Sequence, residues 1–292
     1  STGCACRAGT GAVPSRRMPR RLIVNADDFG ANLPRNIGIV EAHLRGVVTS
    51  ATVLVGLAAA EDAAVRARLA PRLGTGLHLN LTEGRPIGTG YRTLTGPDGA
   101  FWGKEGARER LKQGRLDPEE IRREALAQLD RMRDLGLAVS HVDGHHHVHV
   151  YPGVMPVLAG LLRERGVRWI RLPAEIVGGA GIPADRLAAL AEYAALTPQA
   201  RRFALEAGLG TTQGFLGLTL MGQLSVAALL RALALSPEGV TELMVHPGYA
   251  DPGTGGFSGA EREAELAVIT DPALREGVAR LGIALVSYKD LD

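Results

Sequence analysis

Asp27 and Asp28 stand side by side in "NADDFG", His78 sits between leucines in "GLHLNL", and His246 precedes Pro247-Gly248 in "MVHPGY". The densest feature is "SHVDGHHHVHVYPG" (140–153), which carries five of the chain's eight histidines. Carboxylates and imidazoles together are the residue types that bind a divalent cation and move protons beside it. Adjacent carboxylates repel and make poor core residues unless something positive lies with them. A divalent cation removes the conflict: one carboxylate binds it, while the other orients and deprotonates the attacking water. The competing reading makes one of the pair a cap for the helix after Gly30, a role Asn32 fits equally. His78 alternates with Leu77 and Leu79 and so faces away from the apolar side of a strand, as a ligand or as a hydrogen-bonded structural residue. His246, with an ordinary pKa near neutrality, suits protonation of a leaving group, and capping of its strand is the plainer alternative.

The histidine tract has a parity. His141, Asp143, His145, His147 and His149 are odd-numbered, so an extended backbone puts all five on one face and turns His146 away. Same-face neighbours on a strand are roughly 7 Å apart, too far for all of them to hold one ion. One or two are therefore ligands, and the others position ligands, contact substrate or carry protons. A helical turn would instead pair His145 with His149, but Val148, Val150 and Pro152 disfavour it. Covalent chemistry has little support, since no GxSxG occurs and the two cysteines lie in the first six residues.

Elements that could bring these residues together are legible. Strand-like runs occur at 21–26, 47–55, 74–82, 137–144, 167–173, 240–248 and 283–288. Helical patterns fall between them, from Pro34 to Arg45, Ala58 to Leu69, Gly153 to Arg165, 183–208 and 223–235. Asp117-Pro118-Glu119-Glu120 starts a helix running to about Gly136, Ser258 with Glu261 caps another, and Asp271-Pro272 opens the last. Residues 83–104 are rich in Gly, Pro and Thr, an excursion long enough to be a functional loop. Alternating strands and helices predict an α/β fold with a parallel sheet, closed or nearly closed into a barrel. The polar residues above then gather at strand ends, where such folds carry their sites.

Composition narrows the partners. The 292 residues are 46% hydrophobic, enough for a large core, with 33 basic and 31 acidic residues and a formal charge of +2. The signs are interspersed and only 4% of residues are aromatic, which argues against nucleic acid as a partner. No run approaches the roughly 18 apolar residues of a membrane helix. "STGCACRAGTGAVPSRR" lacks the apolar stretch of a secretory signal, so the protein is predicted to be cytoplasmic. One domain is predicted over 18–292, preceded by an unstructured extension at 1–17.

"LIVNADDFG", "GVVTSATVLV", "GLHLNLTEGRP", "SHVDGHHHVHVYPGV" and "MVHPGY" together resemble the YdjC-type carbohydrate deacetylases, which include the chitooligosaccharide deacetylases. "TTQGF" (211–215) and the ending "LVSYKDL" are also similar, so the resemblance runs from about Arg20 to the C-terminus. It implies a distorted (β/α) barrel like that of the NodB-type polysaccharide deacetylases and one divalent metal ion, magnesium or zinc. The implied metal ligands are Asp28, His78 and His145. Asp27 would be the general base and His246 the general acid, with Asp143, His147 and His149 as a supporting shell or substrate contacts. The implied reaction is hydrolysis of the N-acetyl group of an acetylated amino sugar or short oligosaccharide, with homodimers common among relatives. Gly144 stands where many relatives carry Ser, which would remove a hydroxyl near the metal. Two other readings compete: a metal-dependent phosphoesterase on a similar barrel, and a non-catalytic sugar- or metal-binding homologue.

Overall fold

The computed structural model describes residues 18–175, 182–251 and 259–291; the extension predicted at 1–17 and the cap predicted at Ser258 lie outside them. Among these described residues eight parallel strands appear in chain order: β1 (Arg21–Phe29), β2 (Ser50–Val53), β3 (Gly74–Leu79), β4 (His141–Gly144), β5 (Trp169–Ile170), β6 (Gly214–Leu216), β7 (Val240–Val245) and β8 (Ala284–Leu285). The sheet order is β5-β4-β3-β2-β1-β7-β6, with β8 attached to the start of β1. Among the described residues the β5 and β6 edges meet through single parallel bridges, Trp169 to Gly210 and Glu175 to Phe215. The sheet therefore curls into a nearly closed, distorted barrel, as the strand–helix alternation predicted. The seven expected strands are present, and β6 is the addition.

Among the described residues nine α-helices surround it: α1 (Leu33–Arg45), α2 (Ala60–Leu69), α3 (Gly103–Lys112), α4 (Pro118–Asp134), α5 (Met155–Glu164), α6 (Ala184–Glu206), α7 (Val226–Ala234), α8 (Ala260–Thr270) and α9 (Pro272–Arg280). Three starts follow the expected capping chemistry. Asn32, Asp117 and Asp271 each accept a first-turn amide, and a proline stands in each first turn. The cap of α1 is Asn32, which frees Asp27 and Asp28 from that role.

Parallel strands covered by helices are buried on both faces, and the alternation in β1 decides what each face meets. Leu22, Val24 and Ala26 join the main core beneath the helices, whereas Ile23 packs with Val240, Tyr288 and Leu291 as a small plug. Above that plug the barrel interior turns polar, with Asn25, Asp27, Thr52, His78, Asp143 and Glu242 all buried. Gly76 leaves room there: a Cβ would lie 2.5 Å from the His141 ring, which stacks on Tyr288 at 3.8 Å. The 83–102 excursion is fastened by two buried glutamates of α4. Glu124 accepts the amides of Ile87 and Gly88 and the Tyr91 hydroxyl, while Glu120 accepts the amides of Arg92, Thr93 and Leu94.

Candidate active site

At the carboxyl ends of the strands lies a cavity of about 550 Å³, lined among others by Asp27, Asp28, His78, His145, His147 and His246. In a regular strand Asp27 and Asp28 would point to opposite faces. The pairing register of β1 slips between Ala26 and Phe29, and Asp28 takes a left-handed φ of 67°. This bulge turns both carboxylates toward the cavity, at a backbone cost of about 1–2 kcal/mol for a non-glycine residue.

His78 and Asp143 are direct neighbours across β3 and β4. His78 Nδ1 donates to Asp143 Oδ1 at 2.7 Å, which makes Nε2, toward the cavity, the nitrogen that would lose its proton to a cation. Burial disfavours the His78 cation, yet Asp143 and Asp27 outweigh it and raise the group to about 10. Asp28 Oδ1 lies 3.5 Å from His78 Nε2 and 3.1 Å from His145 Nδ1, and the two imidazole nitrogens are 3.3 Å apart. These three donors all lie within 4.8 Å of one another, and buried Asp28 Oδ1 has no hydrogen-bond partner. A carboxylate oxygen left unpaired beside two ring nitrogens fits a cation, and the donor set of two imidazoles and one carboxylate suits zinc chemistry. The other oxygen, Oδ2, is ion-paired to Arg262 and lies 3.6 Å from Arg35. Burial opposes ionisation of Asp28, but Arg262 and His145 hold it well below the usual carboxylate range.

Asp27 belongs to a deeper network. Arg171, fully buried, meets it with both terminal nitrogens at 2.7 Å and also reaches Asp143 at 2.8 Å and Glu242 at 2.7 Å. Asn25 donates to Asp27 Oδ1 at 2.8 Å and itself accepts from His141 Nε2 at 3.0 Å. Burial alone would keep Asp27 protonated, and Arg171 reverses that and holds it far below the usual range. A further group of possible donors, Asp27, His78 and Asp143, is thereby filled by Arg171 and by Thr52, which donates to Asp143. His246 follows β7, with its backbone amide on Glu265 Oε2 at 2.6 Å and its Nδ1 3.9 Å from the same atom. Burial lowers His246 to about 4 and raises Glu265 to about 7, which favours a neutral imidazole beside the carboxyl.

The histidine tract departs from its predicted parity. Extended backbone ends at Gly144, and residues 145–150 form a 3₁₀ segment in which His146 and His147 both have a φ of 54°. The parity holds for His141 and Asp143 and fails beyond them. His146, expected to point away, lines the cavity and hydrogen-bonds Thr82 at 3.0 Å. His147 lies edge-on to Tyr193 at 4.9 Å, and burial keeps it neutral. His149 sits behind the cavity wall, with Nε2 on the Arg171 carbonyl at 3.0 Å. A Cβ at Gly144 would come 2.8 Å from His149 Nδ1, so a serine hydroxyl there would meet His149 rather than a metal. Arg171, Arg262, Glu83, Asn25 and Glu242 escaped the sequence reading. The charge of Arg171 inside the apolar run "VRWIRLP" was the available sign; Arg262, on a helix, offered none.

A curled parallel barrel with a cation-ready donor set beside an ionised carboxylate defines a class of site suited to hydrolytic chemistry. Residues 21–280 match the model of the YdjC-like protein family, and the chain belongs to that family. It is 45% identical over 304 residues to a human protein named carbohydrate deacetylase, covering 94% of this chain and 92% of that one. It is 34% identical over 278 residues to a chitooligosaccharide deacetylase of Klebsiella pneumoniae, covering 94% of this chain and 100% of the relative. Among solved structures, a putative cellobiose-phosphate cleavage protein of Enterococcus faecalis superposes with a TM-score of 0.77 at 26% identity, covering 93% of this chain and 98% of that one.

Proposed function

We propose that this protein is a metal-dependent carbohydrate deacetylase, hydrolysing the N-acetyl group of an acetylated amino sugar or short chitooligosaccharide to acetate and a free amine. The observation that carries the reading is the convergence of Asp28 Oδ1, His78 Nε2 and His145 Nδ1 beside ionised Asp27. The names borne by the human and Klebsiella relatives support the substrate class. The catalytic domain would span 18–292, with one resident ion, zinc or magnesium, held by Asp28, His78 and His145. The reading carries with it a small carbohydrate as partner rather than nucleic acid or membrane, and a cytoplasmic location. No helix among the described residues is long and apolar enough to cross a membrane.

A divalent cation held there acidifies water and withdraws charge from the acetamide carbonyl. Asp27, fixed in orientation by Arg171 and Asn25, keeps acceptor capacity on Oδ2 for the proton of the attacking water. As the water oxygen bonds to the carbonyl carbon and the C–N bond breaks, the departing nitrogen needs one proton. His246 supplies it. The ring is neutral at rest, and its charged form becomes favourable as negative charge develops beside it. Asp143 holds the His78 tautomer, His149 braces Arg171 through its carbonyl, and His147 contributes to the wall that substrate meets.

The test is direct. Purified protein, reloaded with zinc or magnesium after chelation, is incubated with N-acetylglucosamine oligomers and assayed for acetate and primary amine. Equal amounts of both, abolished by Asp27→Asn, are expected. Phosphate release from sugar phosphates without any acetate would overturn the reading.

A further inference from the structure

The His145 ring faces two donor sets. Its Nδ1 points into the group with Asp28 and His78, while its Nε2 lies 3.3 Å from Glu83 Oε2 on the outer side. His146 Nε2 lies 3.6 Å from the other oxygen of the same carboxylate, and donor atoms of Glu83, His145 and His146 all fall within 4.8 Å of one another. His145 Nε2 is buried and makes no hydrogen bond. The tautomer of His146 is also set from behind. Asn80 Oδ1 accepts from the amides of Thr82 and Glu83 and from the Thr82 hydroxyl, so that hydroxyl oxygen is left to accept from His146 Nδ1 at 3.0 Å. His146 Nε2 then presents its lone pair toward Glu83. The left-handed backbone that aims this ring is held by the Tyr193 hydroxyl, which donates to the His146 carbonyl at 3.1 Å.

We infer that Glu83, His145 and His146 form a second, outer site for a transition-metal dication such as zinc, sharing the His145 ring with the inner site. The inference rests on the inner assignment made above. Two imidazoles and a carboxylate suit zinc, cobalt or copper. With both sites filled, His145 bridges as an imidazolate, and its Nε2 proton leaves to solvent past half-exposed Glu83. All three outer residues line the same cavity as Asp27 and His246, so an ion there narrows the substrate's way in and zinc beyond one equivalent inhibits.

Calorimetric titration of zinc into chelator-stripped, untagged protein tests this. Two ions per chain are expected for the unmodified protein. One is expected for Glu83→Ala/His146→Ala, and one, at the outer site, for Asp28→Asn/His78→Gln, each checked for folding by thermal melting. With copper as probe, the second equivalent should reduce the paramagnetic signal rather than double it, because two ions on one imidazolate couple. A single ion in the unmodified protein, lost in the Asp28/His78 variant and kept in the Glu83/His146 variant, overturns the outer site and leaves the inner one standing. A single ion lost only in the Glu83/His146 variant does the reverse.

Discussion

Replacing Arg171 with methionine removes a cation that touches Asp27, Asp143 and Glu242 together. Asp143 keeps the His78 ring, whereas the other donors are uncharged: Asn25 for Asp27, Tyr288 for Glu242 and Thr52 for Asp143. None of the uncharged donors compensates a buried negative charge, and breaking a buried ion pair on one side costs about 3–5 kcal/mol. At about 2–4 °C per kcal/mol for a chain somewhat smaller than this one, Arg171→Met should melt on the order of 10 °C lower at pH 8. The sign of the pH dependence follows from linkage. Without Arg171, burial raises the folded-state pKa of the three carboxylates, so the folded protein binds more protons than the unfolded chain. Stability of the variant then rises as pH falls, and the deficit should shrink between pH 8 and pH 5. Activity should be lost at neutral pH even where the variant is folded, because Asp27 takes up a proton. Differential scanning calorimetry at both pH values checks the first part and acetate release the second. A variant melting within about 2 °C of the parent at pH 8 would refute the claim that Arg171 holds the interior charges together.

Asp143→Asn no longer fixes the His78 tautomer by a charged acceptor and should weaken zinc binding about 10- to 100-fold, measured by competition with a chromophoric chelator. His78, raised to about 10 in the cation-free protein, must lose its proton to bind metal. Affinity should therefore rise about tenfold per pH unit from pH 6 to 8, and a flat profile would contradict the assignment. Gly38→Ala places a Cβ 2.5 Å from the Gly248 Cα, behind the turn that carries His246. It should cost about 1–3 kcal/mol and lower turnover. Gly160→Ala, with nothing within 4 Å, is the control and should leave both unchanged or raise the melting temperature.

Much of the fold could be read from the sequence because burial in a parallel barrel demands continuous apolar runs separated by capped helices. Asp117-Pro118 and Asp271-Pro272 begin helices for reasons confined to a few residues. β6 was missed because its three residues, Gly214 to Leu216, are too few to show a period. α3 was missed because glycines and charges mask its one apolar pair, Ala107 and Leu111, four residues apart. In the site, residue types were legible and directions were not. The bulge that turns Asp28 beside Asp27, and the left-handed pair His146 and His147, depend on tertiary partners such as Tyr193. A period-two argument cannot see them. Arg171 was hidden by its own burial, since a charge inside an apolar run reads as strand until the carboxylates opposite it are known.

The proposed chemistry stands on Asp28, His78 and His145 jointly holding a cation. Crystals grown with zinc, measured on both sides of the zinc absorption edge, test it most directly. A strong anomalous peak is expected, bounded by Asp28 Oδ1, His78 Nε2 and His145 Nδ1 and at about 2.0–2.2 Å from each. Zinc found elsewhere in the chain, with His78 Nε2 still facing His145 Nδ1 across an empty gap, would contradict it.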